Sequence, residues 1–128
     1  MALSVTRETL APRGVRQLYI TETSDVAIGA SETTVVASTR CGMMERFGIQ
    51  LFNSDASVAG TAKVYGSLLE APGTEGAATD WTQIGDDITV PVSSGAIKAI
   101  ATTPLKHICV RATGNGADLT AYILGQER

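Results

Sequence analysis

Little in this sequence is equipped for chemistry. Its 128 residues include one histidine, one tryptophan and two cysteines. Structural zinc needs four ligands of the Cys/His type, so no zinc site can be assembled. Calcium could use carboxylates, yet "GDD" at Gly85 to Asp87 lacks the regular oxygen spacing of a calcium loop and reads as a turn. No metal and no cofactor is expected. Aromatic residues make up only 5% of the chain, so the core must be built from Val, Ile, Leu and Ala.

Charge is equally sparse. Ten basic residues stand against thirteen acidic ones for a net −3, and no basic run could gather phosphates, which disfavours nucleic acid and anionic membrane surfaces as partners. The apolar runs are a few residues long, far short of the roughly 20 that span a bilayer. The opening "MALSVTRETLAPRG" has no apolar signal region, so the chain is expected to be soluble and unexported. Cys41 and Cys109 are expected to be reduced, packed thiols. A mean hydropathy of +0.12 with 18% charged residues points to self-association or docking onto a larger body.

What the sequence does have is alternation. In "RFGIQLF" Phe47, Ile49 and Leu51 fall on one face of a strand, with Arg46 and Gln50 on the other. "AKVYGSL" sets Ala62, Val64 and Leu68 against Lys63, Tyr65 and Ser67. "DITVPV" repeats the pattern with Ile88, Val90 and Val92, and Pro91 belongs at a sheet edge or strand end. "RQLYIT", "DVAIGA", "TTVVAS" and "AIKAIAT" add further strands between short polar turns. No long amphipathic helix competes. The nearest candidate, "STRCGMMERF", is broken by Gly42 and reads as a turn or short helical connection.

The spacing predicts an all-β domain: one antiparallel β-sandwich, jelly-roll-like or immunoglobulin-like, or a barrel, of about 8 to 9 strands. Residues 15–128 form that domain, and residues 1–14 form an N-terminal extended arm, disordered or ordered against a partner. "EAPGTEGAATD", from Glu70 to Asp80, reads as an exposed loop.

Candidate chemistry gathers in "LKHICVRATGNGADLTAYIL". Alternation puts His107, Cys109 and Arg111 on one face and Ile108, Val110 and Ala112 on the other, and the Gly and Asn residues of "TGNGAD" suit a hairpin loop. A Cys/His nucleophile is disfavoured, because side chains two apart on a strand are rooted nearly 7 Å apart and no third group orients the pair. A packed Cys109 beside a surface His107 is expected instead. "GNG" at Gly114 to Gly116 precedes a strand and cannot cradle a phosphate at a helix start. Nothing singles out two of the thirteen acids as a glycosidase pair. Trp81, following the long loop, could stack on a sugar ring or anchor the loop. No catalytic residue is assigned.

From Ala62 to Glu127 the chain resembles small β-sandwich proteins of tailed-bacteriophage virions. The carrying phrases are Val64, Gly66, Ser67 and Leu68 in "VYGSL", Trp81, Ile84 and Gly85 in "WTQIG", "HICVRATG" from His107, and the closing Gly125 and Gln126. The resemblance implies a non-enzymatic structural subunit, a head decoration or cement protein on the capsid surface, made in the host cytoplasm. Its partners would be the major capsid protein or other virion subunits, and it would be a homo-oligomer, with a trimer among the options. Such proteins often grip the shell with a terminal arm. The matching segment here is Met1 to Gly14, and Arg7, Leu10, Pro12 and Arg13 in it, with Trp81, are the candidate partner contacts. A head-tail connector or tail component, and a carbohydrate-binding or fibre domain, are the alternatives.

Overall fold

A computed structural model describes residues 3–10, 16–22 and 25–126, with the side chains of Ile20 and of residues 25–42 and 44–126. The described residues form nine strands and no helix: β1 (Leu3–Leu10), β2 (Arg16–Glu22), β3 (Val26–Ala27), β4 (Thr33–Asn53), β5 (Gly60–Ser67), β6 (Thr82–Gln83), β7 (Ile88–Val90), β8 (Ser94–Thr113) and β9 (Asp118–Gln126). All pair antiparallel, as the alternation predicted.

Two strands build both layers. The second half of β4 lies between β9 and the first half of β8, with Ile49 opposite Ile123 on one side and Lys98 on the other. This gives a five-stranded sheet in the order β1-β2-β9-β4-β8. The first half of β4 pairs with the second half of β8, which pairs in turn with β5, while β6 and β7 cover the far side of β5. The β4/β8 ribbon therefore bends from one sheet into the other.

The bend falls on the stretch expected to be a turn or helical connection, and that expectation is corrected. The chain stays extended through "STRCGMMERF". Its ladder to β8 shifts register between Arg40 and Met44 and again between Met44 and Arg46, and Gly42 takes φ of 57°. A left-handed residue inside a bulge turns a strand without ending it, and glycine adopts that conformation at no steric cost. On the facing strand the bend is met by Pro104, which cannot donate to a ladder.

Between the sheets the core is aliphatic, as the composition required. Ile20, Val35, Val36, Met44, Ile49, Leu51, Val64, Ile108, Val110, Leu119 and Ile123 are fully buried. Phe47, Ile88 and Val90 join them, while Leu68 and Val92, both expected inside, are exposed. Ser67 keeps the outward phase opposite His107, yet is buried there and accepts the Leu69 N–H through Oγ at 3.1 Å. Of the expected arm, residues 3–10 are strand β1, which among the described residues pairs only with β2, and residues 1–2 and 11–14 lie outside the described residues.

At the sandwich end near β3, Asp25 ties the end of β4 to β9 within the five-stranded sheet. Its carboxylate accepts Ser54 Oγ at 2.6 Å and Thr120 Oγ1 at 2.7 Å. These bonds, Ser54's first, hold its carboxyl below the ordinary 3.8. A depressed carboxylate pKa contributes stability that is present above the unfolded value and lost as pH falls through the folded one. Asp25→Asn is therefore expected to separate from the parent chain most clearly above about pH 4. In urea titrations the gap should close at lower pH. A pH-independent gap would contradict the assignment.

Candidate functional site

Two surfaces carry side chains beyond the needs of the core. The first is the outer face of the β4/β8/β5 layer, where His107, Cys109 and Arg111 project together as alternation predicted. The "EAPGTEGAATD" segment is the loop that was expected, largely exposed, and it also folds back over this face as a strap. Glu70 at its start accepts Arg40 Nη2 at 3.1 Å and also Lys106 Nζ. Those two cations, Lys106 first, hold its carboxyl below the usual range. Glu75 takes the Ser38 N–H at 3.0 Å through Oε2 and receives Arg111 Nη1 on its carbonyl. Arg111 Nη2 donates to the Glu32 carbonyl at 2.7 Å, and Nε lies 3.4 Å from Glu32 Oε1. Tyr65 OH completes the cluster with a 3.1 Å bond to Glu32 Oε2.

Beneath this strap Cys109 is fully buried. Burial, with the charge of Glu75 adding to it, pushes its thiol up to about 12. Burial does the same to Cys41, which is also pushed to about 12 and donates to the Leu105 carbonyl at 3.3 Å. A thiol at that value is scarcely ionised near neutral pH, and the thiolate is the reactive form. Both cysteines are free. Native chain is expected to leave both thiols unreacted with a disulfide reagent at pH 8, and to release two equivalents once unfolded. One fast equivalent in the native state would contradict the burial of one of them.

His107 does not serve Cys109. Its Nδ1 lies 3.1 Å from Ser38 Oγ and its Nε2 lies 3.0 Å from the Glu70 carbonyl. A carbonyl can only accept, so Nε2 carries the proton and, in the neutral ring, Nδ1 accepts from the serine. The imidazole links strand to strap. Among the described residues no three His, Cys, Asp or Glu side chains gather into a metal site.

Trp81 belongs to the same construction. Its indole is 3% exposed, and Nε1 donates to the Gly73 carbonyl at 3.3 Å. The ring anchors the strap, the structural role that the sequence also allowed. Arg7 and Leu10 lie on β1, where only the backbone is described, and Pro12 and Arg13 fall outside the described residues.

The second surface was not foreseen. On the outside of the five-stranded sheet Phe52 is 45% exposed, Leu124 46% and Ile97 76%. Gln50 and Tyr122 pair across the strands between them, and Gly48, whose Cα bears no side chain, leaves a depression of about 480 Å³ lined also by Gln50, Ile97, Tyr122 and Leu124. Around it the outward residues of β4 from Arg46 to Phe52, of β8 from Gly95 to Ala101 and of β9 from Thr120 to Gln126 contribute one charge, Arg46, and Asp25 reaches Thr120 at one margin. The alternation itself held the signal, since Phe52, Ile97 and Leu124 all occupy the outward phase of their strands.

No family model and no curated protein sequence matches the chain. Among solved structures, one from work titled "Bacillus endospore appendages form a novel family of disulfide-linked pili" is similar over 94% of this chain and 88% of that one, with 15% identity and a TM-score of 0.54. The crystal structure of PirA is similar over 87% and 93% of the two chains, at 13% identity and a TM-score of 0.48. A structure of the infectious bursal disease virus Gx strain covers 87% of this chain and 32% of that one, at 11% identity and 0.45. What is shared with the endospore-appendage structure, at 15% identity, is the β fold.

Proposed function

We propose that this chain is a non-enzymatic structural subunit of a virion: a decoration or cement protein on the head of a tailed bacteriophage, partnered by the major shell subunit. The observation that carries this reading is the exposed apolar sheet face at Phe52, Ile97 and Leu124, open and nearly uncharged. Scattered exposed apolar residues are ordinary, but a contiguous group around a depression marks a surface that another body covers. Shell decoration suits such a face, because many weak repeated contacts reinforce a lattice through multivalency without any deep pocket. The interior position of both thiols favours non-covalent attachment over disulfide linkage. The polar cluster under the strap supports the same reading, since its ring nitrogens and guanidinium are spent on holding the strap.

Quantitative mass spectrometry of purified particles tests the proposal. A copy number on the scale of the shell subunit is expected. A handful per particle would replace decoration by a connector or tail role, and absence from particles would overturn the virion setting. The arm has its own test. β1 meets the rest of the sheet only through β2, so a chain lacking residues 1–14 is expected to keep its cooperative unfolding transition and lose particle occupancy. Unchanged occupancy would remove the arm from the docking surface.

A further inference from the structure

A sandwich must protect the edges of its sheets, because unpaired N–H and C=O groups on an edge strand recruit another strand. Most edges here carry such protection. The ladder of β1 to β2 shifts register between Thr6 and Thr9. β6 and β7, which cover β5, are two and three residues long. The outer edge of β4 over residues 33–40 has register shifts between Thr34 and Val36 and between Val36 and Thr39, and Glu75 occupies its Ser38 N–H. Bulges, short strands and bound charge are the usual devices against edge-to-edge pairing.

The outer edge of β8 has no bulge, is not short and holds no bound carboxylate, so Lys98 is its one guard. From Ser94 to Ala101 it follows β4 residue for residue without a shift, and among the described residues no strand lies on its other side. Its outward side chains are Gly95, Ile97, Ala99 and Ala101, of which Ile97 is 76% exposed. Lys98, pointing to the inner side at the rim, is the run's one charged residue.

We infer that residues 94–100 of β8 pair antiparallel with the same residues of a second copy, across a two-fold axis at Ile97. This deepens, and for its biological setting rests on, the reading of the chain as an assembling subunit. A second copy is the occupant the geometry favours. β1 and this half of β8 run in the same direction across the five-stranded sheet, so stacking copies by translation would require a parallel pair and would not close. An antiparallel, two-fold pair is the commoner arrangement on both counts.

Charge and ladder geometry select the register. Opposed residues in an antiparallel pair share a face, so a symmetric pairing centres on a residue. Centring on Lys98 sets two ammonium groups directly opposite each other, which is unfavourable. Centring on Ala99 carries the ladder to Thr103, beyond Ala101, where the pairing with β4 loses register. Centring on Ile97 keeps the pair within the regular run, sets Lys98 against Ala96 of the second copy, and covers the most exposed large apolar residue with its own mate. The two five-stranded sheets would then join into one of ten, with the apolar faces of both copies side by side toward the shell.

The test is a cross-link in the full chain. Ile97→Cys, with Cys41 and Cys109 buried as a silent background, is expected to form a disulfide dimer when glutathione disulfide is added. Opposed Cβ atoms in such a pair lie about 4.5–5.5 Å apart. Ala101→Cys, four residues along the same face, is expected to cross-link about tenfold less, its counterpart lying several residues out of register. By light scattering the parent chain is expected to be a dimer and Ile97→Lys a monomer with an unchanged circular dichroism spectrum. A monomeric parent chain, a dimeric Ile97→Lys, equal cross-linking at 97 and 101, or association abolished by Leu124→Lys alone would each overturn the edge pairing. The decoration role fails separately. A monomer found on particles at shell-scale copy number overturns the pairing and keeps decoration, whereas efficient Ile97→Cys cross-linking by a chain absent from particles does the reverse.

Discussion

Replacing Ile49 by alanine is expected to lower the unfolding free energy by about 2–5 kcal/mol, the range for removing a large aliphatic side chain from a closed core. Ile49 is fully buried and sits in the central strand of the five-stranded sheet, opposite Ile123 on β9 and Lys98 on β8. Ile123 is held in turn by β2, opposite the buried Ile20. The sheet therefore has little freedom to collapse into the gap, which places the expected loss toward the upper part of that range. A domain of this size is stable by about 5–15 kcal/mol in total, so one such change removes a large share. Urea unfolding should show a lower midpoint with the denaturant slope unchanged. A loss below about 1 kcal/mol would mean that the core around Ile49 repacks freely, against the close packing expected of protein interiors.

The second large effect concerns the strap. Arg111→Leu removes the donors to the Glu75 and Glu32 carbonyls and the cation beside the Glu32 carboxylate. A hydrogen bond from a charged group contributes about 1.5–3 kcal/mol, but this side chain is 18% exposed and its partner 27%, so water replaces part of what is lost. An overall destabilisation of about 2–3 kcal/mol is expected. The more telling readout is local. With the strap released from Arg111, Cys109 should react with an alkylating reagent under native conditions while Cys41, inside the sandwich bend, stays protected. Arg111→Lys should show an intermediate rate, since a lysine keeps the charge without the planar fork that reaches two carbonyls. Equal protection of Cys109 in all three chains would show that the strap is held without Arg111.

Both predictions rest on features with different visibility in the sequence. Ile49 was legible as a core residue, because alternation within "RFGIQLF" is a local signal and the strand that carries it is regular. The strap was not. Glu70 and Glu75 meet Arg40, Lys106 and Arg111 across separations of 30 to 36 residues, and nothing in "EAPGTEGAATD" announces which face it will cover. The same blindness explains Trp81, whose burial depends on a carbonyl supplied by the loop that precedes it. The bend at Gly42 misled for a related reason. Buried Cys41, Met44 and Phe47 are three residues apart, a helical spacing, yet here two successive bulges shift the phase of a strand.

By itself the sequence determined the class of this protein: an aliphatic, antiparallel β domain with short turns. Those properties follow from side-chain period and from residues that tolerate turn geometry, and both are read within a few neighbours. Only the tertiary structure decided that four of the expected strands are two long ones bent between layers, that Cys109 is sealed under a strap, and that Ile97 stands on an unpaired edge. Each of these depends on what lies across the ladder or above the face. That is set by the closure of the whole sandwich, to which no local pattern has access.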